Sequence, residues 1–538
     1  MDGCRDLFWE NEGTDEKALA SFTGFINEST LLDLAGRFSD TYRDLAKTST
    51  DHFLVTPVTA LPSGKEKGKF LSIDVGGTNL RVGIIELLGE VGSGSQNGKE
   101  RVEKIKRSHD KSWPIEDHMK MDKAEDLFAW IGDCIAEVIT EAIQESGDTA
   151  SSTPAFGDEL PLGITFSFPM AQTNLSEATL LPMGKGFAIT SNLNLGNMLL
   201  AGYSRHLSPT PNSSSPPSKP RLPRIRIAAI TNDTVATFVS LSYAVKSAPH
   251  SRVAMGLIVG TGTNATVPMP PSSLHPKKQS HVSDATTVVI NTEWTIRGTD
   301  KPLNDLNLKT KWDHELDANS EAPGFQPFEY MTAGRYLGEI VRLAFVDLTS
   351  VPDANDAGRR IPNPELPDAF KVKNGLPTRF LSEVIASNGH ETRIMELLEE
   401  KWPSKDPKRP FWNQPRVGLL RDLELAVQMR SSALIAAACV GLLDCVGDIR
   451  VERQDGATPL LPDSQNGGNN QKQEEELVIA YAGGTISQYP EWKDTCQKWI
   501  DKLVAHGPWN KGKKVVLREA LDGGIVGAGV LAGMTTIA

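Results

Sequence analysis

The sequence predicts an α/β protein of two to four structural units, and three observations carry that expectation. Apolar runs of strand length stop repeatedly at Gly, Asn, Asp or Thr clusters, which is how strands of an open α/β sheet end beside their ligands. Amphipathic helical patterns fill the gaps between those runs. The chain has 538 residues, 39% of them hydrophobic and 23% charged, an ordinary globular composition with ample core. At roughly 150 residues per domain, that length exceeds one domain.

In chain order, the first strand is KFLSIDVGG, Lys69 to Gly77, followed directly by LRVGIIELLG, Leu80 to Gly89. Further strands are LPLGITFSFP, RIRIAAITND, RVAMGLIVGTG and ELVIAYAGG. Helical periodicity covers Ala124 to Glu145, Thr234 to Tyr243, Tyr330 to Leu348, Leu419 to Leu442 and Tyr489 to Ala505. Two Pro/Ser- or Asn/Gly-rich stretches, 208–223 and 455–476, read as disordered surface insertions. Met269 to Ser280 reads as a shorter surface loop. No internal repeat is evident in the residues.

A net charge of −12, from 56 Lys+Arg against 68 Asp+Glu, argues against nucleic acid or an anionic membrane as the main partner. Five cysteines without CxxC spacing exclude a disulfide scaffold and disfavour structural zinc, so free thiols in a reducing, cytoplasmic setting are expected. The N-terminus is acidic and lacks the apolar run of a signal peptide. The most apolar internal run, Ser431 to Leu443, is shorter than the ~20 residues of a bilayer crossing, so no membrane span is expected.

Three constellations carry chemistry. In IDVGGTNLRVGI a strand delivers Asp74, and Gly76, Gly77, Thr78 and Asn79 turn tightly into a second strand bearing Arg81. Glycines let backbone N–H groups approach a phosphate closely, and Asp74 could hold magnesium through water. In IVGTGTNAT, Gly260, Thr261 and Gly262 offer a second such turn. Pro268 and Pro270 follow at once, so no Rossmann helix opens there, and no P-loop motif occurs. Two glycine turns on strand pairs point to a nucleotide held between two domains. In AAITNDTVATFVS a strand ends at Asn232-Asp233; Asp233 is either a helix N-cap or a carboxylate with chemistry to do. Ser167, Lys185, Glu293 and Glu329 add polar groups near other predicted strand ends, a set suited to a polyhydroxylated ligand.

These segments, with GKGF, INTEWTIRG and FEYMTAGRYLGEIVRLAFVDL, follow one another in the order of the eukaryotic hexokinase family, and the chain resembles its fungal members. The resemblance spans Leu61 to Leu348 and continues more weakly through YAGGTISQYPEW to the C-terminus. It implies an actin-like ATPase (ribonuclease H-like) fold of two α/β domains around a cleft. A small domain would span 64–230 plus about 521–538, and a large domain 1–63 and 231–520. Carried over by motif, Ser167, Lys185, Asn232, Asp233, Asn264, Glu293 and Glu329 would contact a glucose-like hexose. Asp233 would be the base and Lys185 a second catalytic group. Asp74, Gly76, Gly77, Thr78, Asn79, Arg81, Gly260, Thr261, Gly262 and Gly483 would surround Mg-ATP.

The chain departs from the family pattern in two places. Gly184 stands where a sugar-contacting Thr is usual, and on the adenosine side D-G-S becomes Ala482-Gly483-Gly484. The late G-S-G-x-G becomes Gly523-Gly524-Ile525-Val526-Gly527, which places a bulky pair in a loop expected to touch nucleotide. Two functions stand at this point: ATP-dependent phosphorylation of a hexose at its 6-hydroxyl, or hexose sensing with little turnover.

Overall fold

The structure is a computed structural model. It describes residues 14–77, 79–89, 104–116, 119, 124–146, 156–167, 170–180, 193–207, 221–245, 250–280, 282, 284–350, 364–452 and 475–536. Thr78, Gly184 and Lys185 lie outside these residues, as do Cys4 and most of both predicted insertions.

Two sheets organise the chain. The first joins β2 (Lys67–Val75), β3 (Asn79–Leu88), β4 (Ile105–Pro114), β5 (Glu159–Phe166) and β8 (Arg224–Thr231) in the order β4-β3-β2-β5-β8. The second contains β1 (Leu54–Val55), β9 (Ser251–Val259), β10 (Thr263–Met269), β11 (Val288–Asn291), β12 (Glu475–Ala482) and β13 (Lys513–Glu519) in the order β1-β11-β10-β9-β12-β13. A small ribbon, β6 (Met170–Ala171) with β7 (Thr179–Leu180), stands apart.

With β1 set aside, the two sheets share one plan. Each opens with an antiparallel meander (β2-β3-β4, β9-β10-β11) and continues with two strands parallel to the first (β5 and β8, β12 and β13). The sequence carries no evident repeat, yet the topology does. Each glycine turn joins the first two strands of its meander.

Both sheets are covered on both faces at their centres, which is why β5, β9 and β12 read as nearly continuous apolar runs. The five-stranded sheet packs one face on the helices Ala124–Glu145 and Leu195–Ser204. The outer face of the other sheet meets the helix Glu28–Thr48 and the long helix Gln414–Cys445. By length and composition alone that long helix could cross a membrane, and 89% of its apolar window is buried inside the protein. The helical stretch extends well beyond the run that the sequence reading singled out.

Between the sheets lie two crossing helices, Asp233–Val245 and the C-terminal Gly523–Met534. Their approach is close enough to require glycine. A Cβ on Gly527 would fall 2.1 Å from the Ala236 carbonyl oxygen, and one on Gly163 of β5 would fall 2.0 Å from that of Ala528. This packing explains the uncharged, Gly-rich C-terminus.

The predicted strands all form. The helix predicted over Tyr330 to Leu348 is two helices, Pro327–Thr332 and Gly334–Thr349, because Ala333 is extended at φ −93°, ψ 144°. Met269 to Ser280 is not a bare loop. It forms short helical turns, buries Leu274 and donates the His275 N–H to the Ala46 carbonyl at 2.8 Å.

Candidate active site

The C-terminal ends of β2, β5 and β8 in one sheet, and of β9, β12 and β13 in the other, open into one cleft of about 750 Å³. Strand ends are natural ligand sites because the chain must turn there, leaving backbone groups that no neighbouring strand satisfies. Every sequence-predicted site residue within the described structure lines this cleft: Asp74, Gly76, Gly77, Asn79, Arg81, Ser167, Asn232, Asp233, Gly260, Thr261, Gly262, Asn264, Glu293, Glu329 and Gly483.

The first turn closes with the Gly76 N–H donating to the Asn79 carbonyl at 2.9 Å, and β-pairing sets Asp74 opposite Arg81. The second turn is braced from behind. Gly334 N–H and the Thr485 hydroxyl both donate to the Gly260 carbonyl, at 2.7 and 3.0 Å, and Arg335 N–H donates to that of Thr261 at 3.2 Å. Gly483, at φ 121°, stacks on this turn, where a Cβ would fall 2.4 Å from the Val259 carbonyl oxygen. The glycines of β9 and β12 therefore form a single wall.

Asn232, not Asp233, caps the helix. Its side-chain oxygen accepts the Thr234 N–H at 2.9 Å and the Thr234 hydroxyl at 2.6 Å. Asp233 is the first helical residue, so the plain capping role is already filled. Its carboxylate also accepts the Thr234 N–H at 2.9 Å and sits in the favourable field of the helix N-terminus.

Glu293 occupies a left-handed conformation, φ 48°, which is uncommon for a non-glycine residue and concentrates at functional sites. Two amides hold its carboxylate: Asn291 Nδ2 at 2.8 Å and Asn264 Nδ2 at 3.3 Å. Glu329 is buried and receives Gln326 Nε2 at 2.6 Å and the Thr295 hydroxyl at 3.3 Å. Asn291, Thr295 and Gln326 were not singled out from the sequence. Their signal was adjacency, since each stands two or three residues from a chosen glutamate.

Burial, then the neighbouring Asp233 carboxylate, push the Asp74 carboxyl up to about 7, against the pull of Arg81. Its ordinary value is 3.8. Between those two values folded Asp74 holds a proton that unfolded Asp74 has released, so stability falls as pH rises through this window. Asp74→Asn should therefore raise the thermal midpoint at about pH 8 and leave it nearly unchanged at about pH 4, as scanning calorimetry would show.

The C-terminal helix start corrects one expectation. Ile525 and Val526 are buried in the core between the sheets and do not line the cleft. The cleft instead meets Glu519, Ala520, Leu521, Asp522, Gly523 and Gly524. This segment is tied down at several points. Thr165 donates to the Gly524 carbonyl at 2.8 Å, Ser72 donates to the Ile525 carbonyl, and Asp522 pairs with Arg81 at 2.7 Å and with Arg107.

The two glycines that replace family serines are not equivalent. A Cβ on Gly484 would meet only the Gln488 carboxamide, at 3.9 Å, whereas one on Gly524 would fall 2.3 Å from Asp74 Oδ2. Gly484→Ser should be accommodated and lower KM for the nucleotide by about 2- to 10-fold, the worth of one neutral hydrogen bond. Gly524→Ser should displace the Asp74 carboxyl and lower kcat by up to ~10²-fold. Steady-state kinetics of the two variants checks both.

Two sequence models described as Hexokinase match residues 254–534 and 18–243. The chain belongs to the hexokinase family. Hexokinase-1 of Nicotiana tabacum is 29% identical over 485 residues, 89% of this chain and 82% of its own. A hexokinase of Emericella nidulans is 28% identical over 490 residues, with the same two shares. Among solved structures, a Schistosoma mansoni hexokinase complexed with glucose superposes with a TM-score of 0.68 at 23% identity, covering 97% of this chain and all of that one. The two-sheet architecture is thus the actin-like fold of the hexokinases. Among the described residues, no group of three His, Cys, Asp or Glu is placed to hold a metal ion by itself.

Proposed function

We propose that this chain transfers the γ-phosphoryl group of Mg-ATP to the 6-hydroxyl of a glucose-like hexose. The observation that carries this reading is convergence: two glycine turns and the acidic-amide set of Asn232, Asp233, Asn264, Glu293 and Glu329 face one cleft. Hydroxyl-rich ligands suit carboxylates fixed by amides, because each sugar hydroxyl both donates and accepts. The glucose bound to the Schistosoma relative supports the sugar class.

In this reading Glu293, Glu329, Asn264 and Ser167 orient the ring, and Asp233 takes the proton as the 6-oxygen attacks phosphorus. One O–P bond forms, the bond to the β-phosphate oxygen breaks, and ADP leaves. Phosphoryl transfer of this kind relies on positioning and charge stabilisation. Lys185, outside the described residues, would add positive charge. Among the described residues the buried hydroxyls of Thr237 and Thr263 at the cleft wall have no hydrogen-bond partner, which fits a polar ligand there. Asp74 lies close enough to Asp233 for the two carboxyls to repel, a pairing that a divalent cation would relieve. Magnesium would arrive with the nucleotide and neutralise its phosphate charge, with Asp74 reaching it through water.

We place the activity at the entry to hexose breakdown in the cytoplasm; the buried free thiols of Cys134, Cys439, Cys445 and Cys496 accord with a reducing compartment. A coupled assay of ADP release with glucose and saturating Mg-ATP tests the function. Glucose-dependent ADP release is the expected result, and its absence at tens of millimolar nucleotide would overturn the reading.

A further inference from the structure

β12 and β13 run parallel with Tyr481 opposite Glu519, so their ends leave the sheet side by side at one end of the cleft. The short helix after β12, Gly484–Gln488, carries Ser487, whose hydroxyl donates to Glu519 Oε1 at 2.6 Å. This bond ties the helix that follows β12 to the end of β13 and fixes one oxygen of an exposed carboxylate. The other oxygen, Oε2, has no hydrogen-bond partner among the described residues. Beside it the apolar side chain of Leu521 is 73% exposed, on the cleft lining. Gly260 of the second glycine turn packs against Gly483, and Gly484, Ser487 and Glu519 line the same cleft, within reach of the nucleoside of a triphosphate held at that turn.

An ionised carboxylate only accepts hydrogen bonds. It therefore selects groups that donate, and a ribose presents two neighbouring donors, its 2′- and 3′-hydroxyls. An acidic residue at a strand end serves ribose in this way in dinucleotide-binding folds. We propose that Glu519, oriented by Ser487, reads the ribose of the phosphoryl donor and compensates for the polar contacts missing at Ala482 and Gly484. The inference rests on the kinase reading of the cleft. It makes the site selective for ribonucleotides over 2′-deoxyribonucleotides and nearly indifferent to the base.

The test is calorimetric binding and steady-state kinetics on the full chain, wild type against Glu519→Ala and Ser487→Ala. The probes are Mg-ATP, Mg-2′-deoxy-ATP, Mg-GTP, Mg-tripolyphosphate and glucose. Wild type should bind ATP about 10-fold more tightly than 2′-deoxy-ATP, and Glu519→Ala should remove that preference. In this variant KM for ATP and GTP should rise about 10-fold with kcat at saturation retained, and Ser487→Ala should lie between it and wild type. Tripolyphosphate should bind the Glu519→Ala variant as well or better, since a negative charge is gone, and glucose should bind unchanged. Three outcomes would overturn the proposal: equal losses for ATP, tripolyphosphate and glucose; a lost preference for ATP over GTP with 2′-deoxy-ATP tracking ATP; or no change in ATP binding. The calorimetric ratio of ATP to 2′-deoxy-ATP decides the matter even if turnover is absent, which separates this inference from the kinase reading.

Discussion

Asp233→Ala is expected to lower kcat by about 10²–10⁴-fold with a much smaller effect on hexose affinity. The size of the effect follows from the role. A general base acts only as the proton leaves the attacking hydroxyl, so its loss is felt in the transition state and little in the ground state. The structure makes this substitution a clean one. Asn232 already caps the helix through the Thr234 N–H and hydroxyl, so removing the Asp233 carboxylate leaves the helix start satisfied. A second readout accompanies the first. Because Asp233 helps push the Asp74 carboxyl up to about 7, its removal should bring the Asp74 titration down toward the ordinary carboxylate range, measurable by NMR. Retained kcat, or a variant that unfolds, would assign Asp233 to the scaffold.

The second large effect is expected far from the chemistry. Arg430, fully buried on the long helix, makes a two-pronged pair with Asp313, at 2.7 and 2.9 Å, and stacks its guanidinium 4.8 Å from the Phe22 ring. Asp313 also accepts the Thr310 N–H and hydroxyl, both at 2.7 Å, which closes the capping box of its own helix. Next to Arg430, the Ser431 hydroxyl donates to the Thr332 carbonyl at 3.0 Å, at the end of the helix that carries Glu329. Arg430→Met would leave the Asp313 charge buried without its partner, which should cost about 3–5 kcal/mol. Urea unfolding measures the loss. The hexose KM of the surviving folded protein should stay within about 2-fold, since Arg430 touches no ligand. A shift below about 1 kcal/mol would show that water reaches Asp313 and solvates it.

Much of the site was legible in the residues because its signals are local. DVGGTN and VGTGTN declare themselves within a few positions, since a tight turn needs glycine and a polar terminus needs Asn, Asp or Thr. Glu293 and Glu329 stood out as carboxylates in short, recognisable motifs. Of their partners only Asn264 did; Asn291, Thr295 and Gln326 did not. Asn264 and Asn291 meet at Glu293 because β10 and β11 are paired, and nothing local in either strand announces that register.

The helix-packing glycines were equally opaque. Gly163 looks like a weakness within a strand until Ala528, hundreds of residues later, is seen lying on it. The same long-range contact moved Ile525 and Val526 from the expected nucleotide loop into the core. One turn of helix starting at Gly523 carries their side chains away from the cleft, a direction that composition does not encode.

The sequence by itself determined the α/β class, the strand ends, the glycine turns and the family, because each depends on backbone preferences over a short span. Only the tertiary structure decided three further matters: that two dissimilar halves share one strand order, that Asn264 reaches Glu293, and that Ser487 after β12 meets Glu519 at the end of the neighbouring β13. The physical reason is the same for all three. Strand pairing and helix packing join residues tens to hundreds of positions apart, and the side-chain roles that result are set by which distant neighbour arrives.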